Sequence, residues 1–310
     1  MRSVLLILSF VFLFCYSCKK DAEKQSEPPK EEIIDVESVN EIEEETIEEV
    51  IEEETEKIIE EETEKEIKEV EIQEPTYDTE VVAADDPVKV FPISHGTLIL
   101  EYDKMVIYVD PVGGADLFKE YRKPTLILVT DIHGDHLNVE TIEAVKHTNT
   151  LVIAPKAVSE KLPSSWSDNI SVLANGQTSS FGIGDVDISI EAIPMYNLRE
   201  EALKFHTKYR GNGYVITMGD QRIYISGDTE DIPEMRQLQN IDKAFVCMNL
   251  PYTMTVESAA SAVLDFKPKT VYPYHYRGTG GLSDVSKFKK IVNAANTKID
   301  VRLLNWYPNR

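Results

Sequence analysis

The segment Leu126-Ile127-Leu128-Val129-Thr130-Asp131-Ile132-His133-Gly134-Asp135-His136-Leu137 constrains this chain more than any other. Its first four residues show no polar alternation, so a strand over 126–130 is predicted to be covered on both faces, as in layered α/β folds. Four side chains able to ligate a metal, Asp131, His133, Asp135 and His136, follow at the carboxyl end of that strand. If the extended geometry persists, its two-residue period points Asp131, His133 and Asp135 to one side, and His136 follows as the chain turns into a helix predicted over 138–147. One short segment then serves two neighbouring cations.

Charge is very unevenly distributed. Residues 21–80 carry 27 Asp plus Glu against 5 Lys, a net charge of −22 out of −23 for the whole chain. The acidity therefore describes a segment, and everything outside it is nearly neutral. Repeats of Glu-Glu-Glu-Thr with scattered isoleucines offer too little apolar surface for a core, which predicts a disordered or loosely helical tether over 18–85. Before it, residues 1–17 combine Arg2 with an apolar run from Val4 to Phe14, right for a secretory leader and short for a membrane span. Ser17-Cys18 at its end resembles a bacterial lipoprotein signal, cleaved before Cys18 with lipidation of that cysteine. The implied place is the bacterial cell envelope, membrane-anchored, periplasmic or surface-exposed. Cys247 is then the one remaining thiol, so no intramolecular disulfide is expected.

From residue 86 to 310 the texture changes to short apolar runs bounded by Gly, Pro, Asn and Asp, predicting one folded domain. Strands are predicted over 88–93, 97–102, 105–109, 126–130, 151–154, 187–193, 213–218, 222–226, 243–248 and 270–274. Helices are predicted over 138–147, 156–161, 255–265 and 283–295. Hairpins first, then strands alternating with helices, predict mixed sheets with helices outside. Three more polar residues follow strands directly: Asp228 after 222–227, His275 after 271–274, and Asn197 after 188–196. Sites in open α/β sheets gather at such ends.

These residues resemble the metallo-β-lactamase superfamily of metal-dependent hydrolases over roughly residues 88–275. The likeness is closest to the branch of ascorbate-phosphate lactonase-like and N-acyl-phosphatidylethanolamine phospholipase-like proteins, through Ile93-Ser94-His95-Gly96-Thr97, Val109-Asp110-Pro111, Ser226-Gly227-Asp228-Thr229 and Tyr272-Pro273-Tyr274-His275. The resemblance implies a four-layer αββα sandwich with one or two metals at an edge of the sheets. It lays the family's His-x-His-x-Asp-His on Asp131, His133, Asp135 and His136, its bridging Asp on Asp228 and its last His on His275. Two positions depart from the pattern: Asp131 replaces the first His, and Asn197 falls where a third His is usual. The resemblance thus implies a tight zinc or manganese ion at Asp135, His136, Asp228 and His275, and a weak or absent second one at Asp131 and His133, with Asn197 a weak donor.

A divalent metal lowers the pKa of bound water to about 7 and polarises a carbonyl or phosphoryl oxygen. The implied function is hydrolysis of an ester, lactone, amide or phosphodiester bond by metal-activated water, with Asp228 orienting the metals and Asp131 a general base or proton shuttle. The alternative is a non-catalytic metal- or ligand-binding protein with a degraded first position. His95 beside Gly96 is read as a residue of the substrate mouth or of a hairpin, His206 as a surface-loop histidine or a substrate contact, and Arg277 as a partner for an anionic group or a structural ion pair. Asp110 either braces the metal loop or merely ends a strand. A small-molecule or lipid-like substrate fits this near-neutral domain; lacking a basic, aromatic-rich patch, it disfavours nucleic acid.

Overall fold

A computed structural model describes residues 75–78, 86–183 and 186–308. The leader, Cys18 and most of the acidic tether lie outside the described residues. Residues 75–78, which composition assigns to the tether, are held on the domain: Asp78 N–H donates to the Leu303 carbonyl, and the Asp78 carboxylate accepts from Leu303 N–H at 2.8 Å.

Two mixed sheets form the domain. The first runs in order β1 (Val88–Ser94), β2 (Thr97–Tyr102), β3 (Met105–Val109), β4 (Leu126–Leu128), β5 (Leu151–Ala154) and β6 (Ile170–Val172). Its first three strands are antiparallel hairpins and the rest pair in parallel. The second sheet contains β7 (Thr178–Ile183), β8 (Val186–Met195), β9 (Gly211–Met218), β10 (Gln221–Ile225), β11 (Lys243–Cys247) and β12 (Thr270–Tyr274). A two-residue hairpin, β13 (Arg277–Gly278) and β14 (Gly281–Leu282), stands apart, and β15 (Asp300–Val301) closes the second sheet beside β12. This sheet repeats the plan of the first, antiparallel from β7 to β10 and parallel from β10 to β15.

Strand periodicity explains the layering. Leu98, Leu100, Leu126 and Leu128 join a core shared with Ile188, Ile190, Tyr214, Ile216, Ile223 and Ile225 of the second sheet. Their neighbours Ile99, Ile127 and Val129 point the other way, into a separate cluster with Ile142, Val145 and Val158. Those residues belong to helices α1 (Val139–Val145) and α2 (Lys156–Ser159), which cover the outer face of the first sheet. After the short α3 (Pro233–Arg236), α4 (Val256–Phe266) and α5 (Val285–Ala295) cover the second sheet through Ala259, Val263, Phe266, Phe288 and Val292. The arrangement is the four-layer αββα sandwich expected from the sequence.

Helix starts follow local chemistry. The Asn138 side chain accepts from Thr141 N–H at 2.7 Å, Thr255 from Ser258 N–H at 3.1 Å and Asp284 from Lys287 N–H at 2.8 Å, each satisfying a donor that the first turn leaves open. The Asn138 cap fixes where α1 begins, two residues beyond His136. Among the described residues no helix is long and apolar enough to cross a membrane.

Candidate metal centre

β4 ends at Leu128, so the extended geometry expected to continue through the ligand segment stops early. The chain turns instead, with His136 N–H and Leu137 N–H both donating to the His133 carbonyl at 3.0 and 2.9 Å. Asp131, His133 and Asp135 therefore do not share a side. The turn sends Asp131 and His133 toward His206, and Asp135 and His136 toward His275.

The second of these groups is the more regular. His136 Nε2 lies 3.3 Å from His275 Nε2 and 3.4 Å from Asp228 Oδ2. His275 Nε2 lies 3.4 Å from Asp228 Oδ1 and 3.3 Å from Asp135 Oδ2, and Asp135 Oδ1 is 3.9 Å from His136 Nε2. Donors bound at about 2.0–2.1 Å to a tetrahedral zinc ion stand roughly 3.3 Å apart, so these four side chains fit one divalent ion. Asp228 Oδ1 is buried with no hydrogen-bond partner, although three imidazoles surround the carboxylate. Burial alone would raise the Asp228 pKa, but His275 and His136 outweigh it and hold the carboxyl well below its usual range. Asp135 is likewise held low: its burial is outweighed by the hydrogen bond from His275 and by His136.

A buried carboxylate aligns His136. Asp110 Oδ1 accepts from Thr130 N–H at 2.7 Å, and Oδ2 accepts from the Thr130 hydroxyl at 2.6 Å and from His136 Nδ1 at 2.7 Å. Asp110 thus braces the ligand loop, one of the two roles its strand-end position allowed. With Nδ1 as the donor, His136 turns its Nε2 toward the centre. Burial raises the Asp110 pKa, with His136 and Thr130 partly opposing. For His136, burial lowers the pKa, but Asp228 and Asp110 prevail and push it well above the usual value.

Backbone shape brings these parts close. His95, Asp110 and His275 all lie in the left-handed region, at φ 49°, 46° and 45°, an unusual conformation for such residues that recurs where function constrains the chain. At Gly96 a Cβ would stand 3.1 Å from His136 Cε1, so glycine lets the β1–β2 turn approach the ring.

The first position departs from expectation in the residue that joins it. The Asn197 amide nitrogen donates to the Ala202 and Tyr252 carbonyls at 2.9 and 2.7 Å, and its Oδ1 is buried with no hydrogen-bond partner. His206 groups with Asp131 and His133, buried and not on the surface, with Nε2 3.3 Å from Asp228 Oδ2 and 4.0 Å from Asp131 Oδ2. Its Nδ1 donates to the Tyr252 carbonyl at 3.2 Å, and Nε2 has no hydrogen-bond partner. The loop between β8 and β9 closes on itself, because Asn197 N–H donates to the His206 carbonyl at 3.0 Å.

Asp131, expected to be a free oxygen donor or proton shuttle, is already engaged. Arg210 Nε and Nη2 grip its two oxygens at 3.0 and 2.8 Å, and His133 Nδ1 adds a bond to Oδ2 at 2.8 Å. Burial would raise its pKa, but His133 and Arg210 hold it at about 2, too low for a base working near neutrality. Arg210 carries no sequence signal beyond its place in the loop before β9.

His95 stands edge-on to His275, ring centroids 5.4 Å apart, and Arg277 Nη2 lies 3.3 Å from its Nε2. Burial, with His275 and Arg277 adding to it, lowers the His95 pKa to about 4. Arg277 itself is exposed. A cavity of about 320 Å³ opens onto the centre, lined by His133, Asp135, Phe205, His206, Asp228 and Tyr252 among others.

Fold and donors together define a metal-dependent hydrolase of the metallo-β-lactamase class. The β-lactamase superfamily domain matches residues 106–276. A UPF0173 metal-dependent hydrolase of Bacillus thuringiensis (strain Al Hakam) is 32% identical over 199 residues, 61% of this chain and 86% of that protein. The chain belongs to this UPF0173 metal-dependent hydrolase family. Among solved structures, it resembles a proposed metal-dependent hydrolase from Parabacteroides distasonis ATCC 8503, with 40% identity, TM-score 0.62, and coverage of 70% of this chain and 94% of that one. The fold alone is shared with Igni18, a metallo hydrolase from Ignicoccus hospitalis KIN4/I, at 20% identity and TM-score 0.59 over 70% of this chain and 95% of that one.

Proposed function

We propose that the chain hydrolyses an ester, lactone, amide or phosphodiester bond of a small or lipid-like molecule, using one divalent ion, zinc or manganese, held by Asp135, His136, Asp228 and His275. The mutual spacing of those four donors is the observation that carries this reading. A bound divalent ion supplies an electrophile and an acidified water molecule. The protein's own groups supply the rest. Asp110 fixes the His136 tautomer, and Asp228 faces both positions. His206 Nε2, not Asp131, is the group placed to take a proton, because its Nδ1 donates to the Tyr252 carbonyl and the ring borders the cavity. Arg277, exposed beside His95, suits an anionic group on the substrate.

The sequence motifs around His95, Asp110, Asp228 and His275 support placing the chain in the lactonase-like and phospholipase-like branch. A panel of ester, lactone, amide and phosphodiester substrates, assayed with added zinc or manganese, tests the reading. Turnover that disappears on chelation and returns with metal supports it, and metal-loaded protein inert across the panel would favour the binding-protein alternative.

The apolar run over residues 4–14, Ser17-Cys18 and the acidic stretch that follows support lipid anchoring at Cys18 in the cell envelope, with residues 18–74 as a spacer. Replacing Cys18 by Ser should release the protein from the membrane fraction. Unchanged fractionation would count against the anchor.

A further inference from the structure

We propose that Arg210 is the built-in cation of the first position, its guanidinium standing in for a second metal ion, so that this enzyme works with one. The inference rests on the reading that the second position binds metal. It starts from what each donor of the first position already does. Asp131, fully buried, receives a two-pronged grip from Arg210 Nε and Nη2 at 3.0 and 2.8 Å, and its Oδ2 accepts from His133 Nδ1. The other ring nitrogen, His133 Nε2, lies 3.4 Å from Arg210 Nη2. Asp131 is thus already paired with a cation of the protein, the guanidinium lies against His133 Nε2 where a second ion would sit, and His206 Nε2 is buried without a hydrogen bond.

The spacing differs as well. Asp131 Oδ2 is 2.8 Å from His133 Nδ1 and 4.0 Å from His206 Nε2, against separations of 3.3 to 3.9 Å at the second position. At the second position, by contrast, the described residues offer Asp135 and Asp228 only imidazoles as ion-pair partners, with no lysine or arginine. Charge agrees with this difference. Three carboxylates face the two positions, Asp131, Asp135 and Asp228; Arg210 neutralises one and leaves two negative charges, the complement of a single divalent ion.

The fold fixes the arginine in place. Asn212 N–H donates to the Thr130 carbonyl at 2.9 Å, tying the start of β9 to the residue before Asp131. Gly211 permits the contact, since a Cβ there would meet the Thr130 carbonyl oxygen at 2.8 Å and Met195 Cε at 2.2 Å. Arg210 Nη2 also donates to the Phe205 carbonyl, closing the loop around the guanidinium. A carboxylate in the place of the family's first histidine and an arginine across from it thereby form one matched pair.

The test is metal stoichiometry of the full chain, stripped with chelator, reloaded with zinc or manganese alone, desalted and measured by elemental analysis alongside calorimetric titration. Wild type should retain one equivalent and Arg210→Ala two. Arg210→Ala that keeps its fold by circular dichroism yet retains only one equivalent would overturn the proposal, as would wild type holding two. If that variant fails to fold because Asp131 is left uncompensated, the double variant Asp131→His/Arg210→Ala replaces the carboxylate with imidazole. Two equivalents in it support the proposal, and one overturns it. Absence of metal from wild type and variants alike would instead overturn the reading of the second position along with this one.

Discussion

Asp110 Oδ2 and His136 Nδ1 sit 2.7 Å apart in the interior, both fully buried, and the bond runs between the end of β3 and the loop after β4. It joins the first sheet's scaffold to the metal ligand whose orientation the centre needs. Asp110→Asn keeps the shape but weakens the acceptor. Outer partners of this kind are worth about 10–100-fold in metal affinity, and a loss of that size is expected in competitive chelator titrations. Affinity equal to wild type would mean that His136 is oriented by packing alone.

His206 and the ligands His136 and His275 should separate in their effects. His136→Ala or His275→Ala removes a donor and should abolish bound metal and turnover together. His206→Gln should keep one equivalent of metal while lowering kcat by about 10²–10⁴, the range for loss of a positioned proton acceptor. Metal lost with His206→Gln would make it an essential ligand.

Gly227 occupies φ +60°, and a Cβ there would stand 2.5 Å from Met195 Sδ and 3.2 Å from Thr130 Cβ. It sets the turn that delivers Asp228 from β10. Gly227→Ala combines left-handed strain with crowding and should cost on the order of 1–3 kcal/mol. Thermal unfolding checks this: for a domain of this size, the loss should lower Tm by about 2–4 °C per kcal/mol. An unchanged Tm would show that the turn relaxes freely.

Cys247 is buried at the end of β11, and burial, with the Asp228 charge adding to it, pushes its thiol up to about 12. The thiolate is the reactive form, so at pH 8 the folded protein should resist alkylation and react only as denaturant exposes the side chain. Mass spectrometry against denaturant concentration follows this directly. Rapid labelling of native protein would contradict the burial.

The sequence revealed the core and half of the centre for identifiable reasons. β2, β3, β5 and β12 match their predicted bounds because apolar runs end at turn residues. β7 was not predicted, since Thr178-Ser179-Ser180-Phe181-Gly182-Ile183 carries small polar residues on an exposed edge. Asp228 and His275 were legible because each directly follows a strand. His206 was not: Asn197 follows β8 directly, and only the folded loop, closed by the bond from Asn197 N–H to the His206 carbonyl, brings the histidine back to the same place. Arg210 was hidden for the same reason, as loop residues have no period to betray their direction. Asp131 reads in the sequence as an oxygen donor or base, and only the fold places Arg210 across from it.

Anomalous diffraction from crystals of metal-reconstituted protein, collected at the zinc or manganese edge, examines the four-donor centre most directly. One strong peak is expected about 2.0–2.2 Å from His136 Nε2, His275 Nε2 and oxygens of Asp135 and Asp228. A peak elsewhere, or none in protein that has taken up metal, would contradict it.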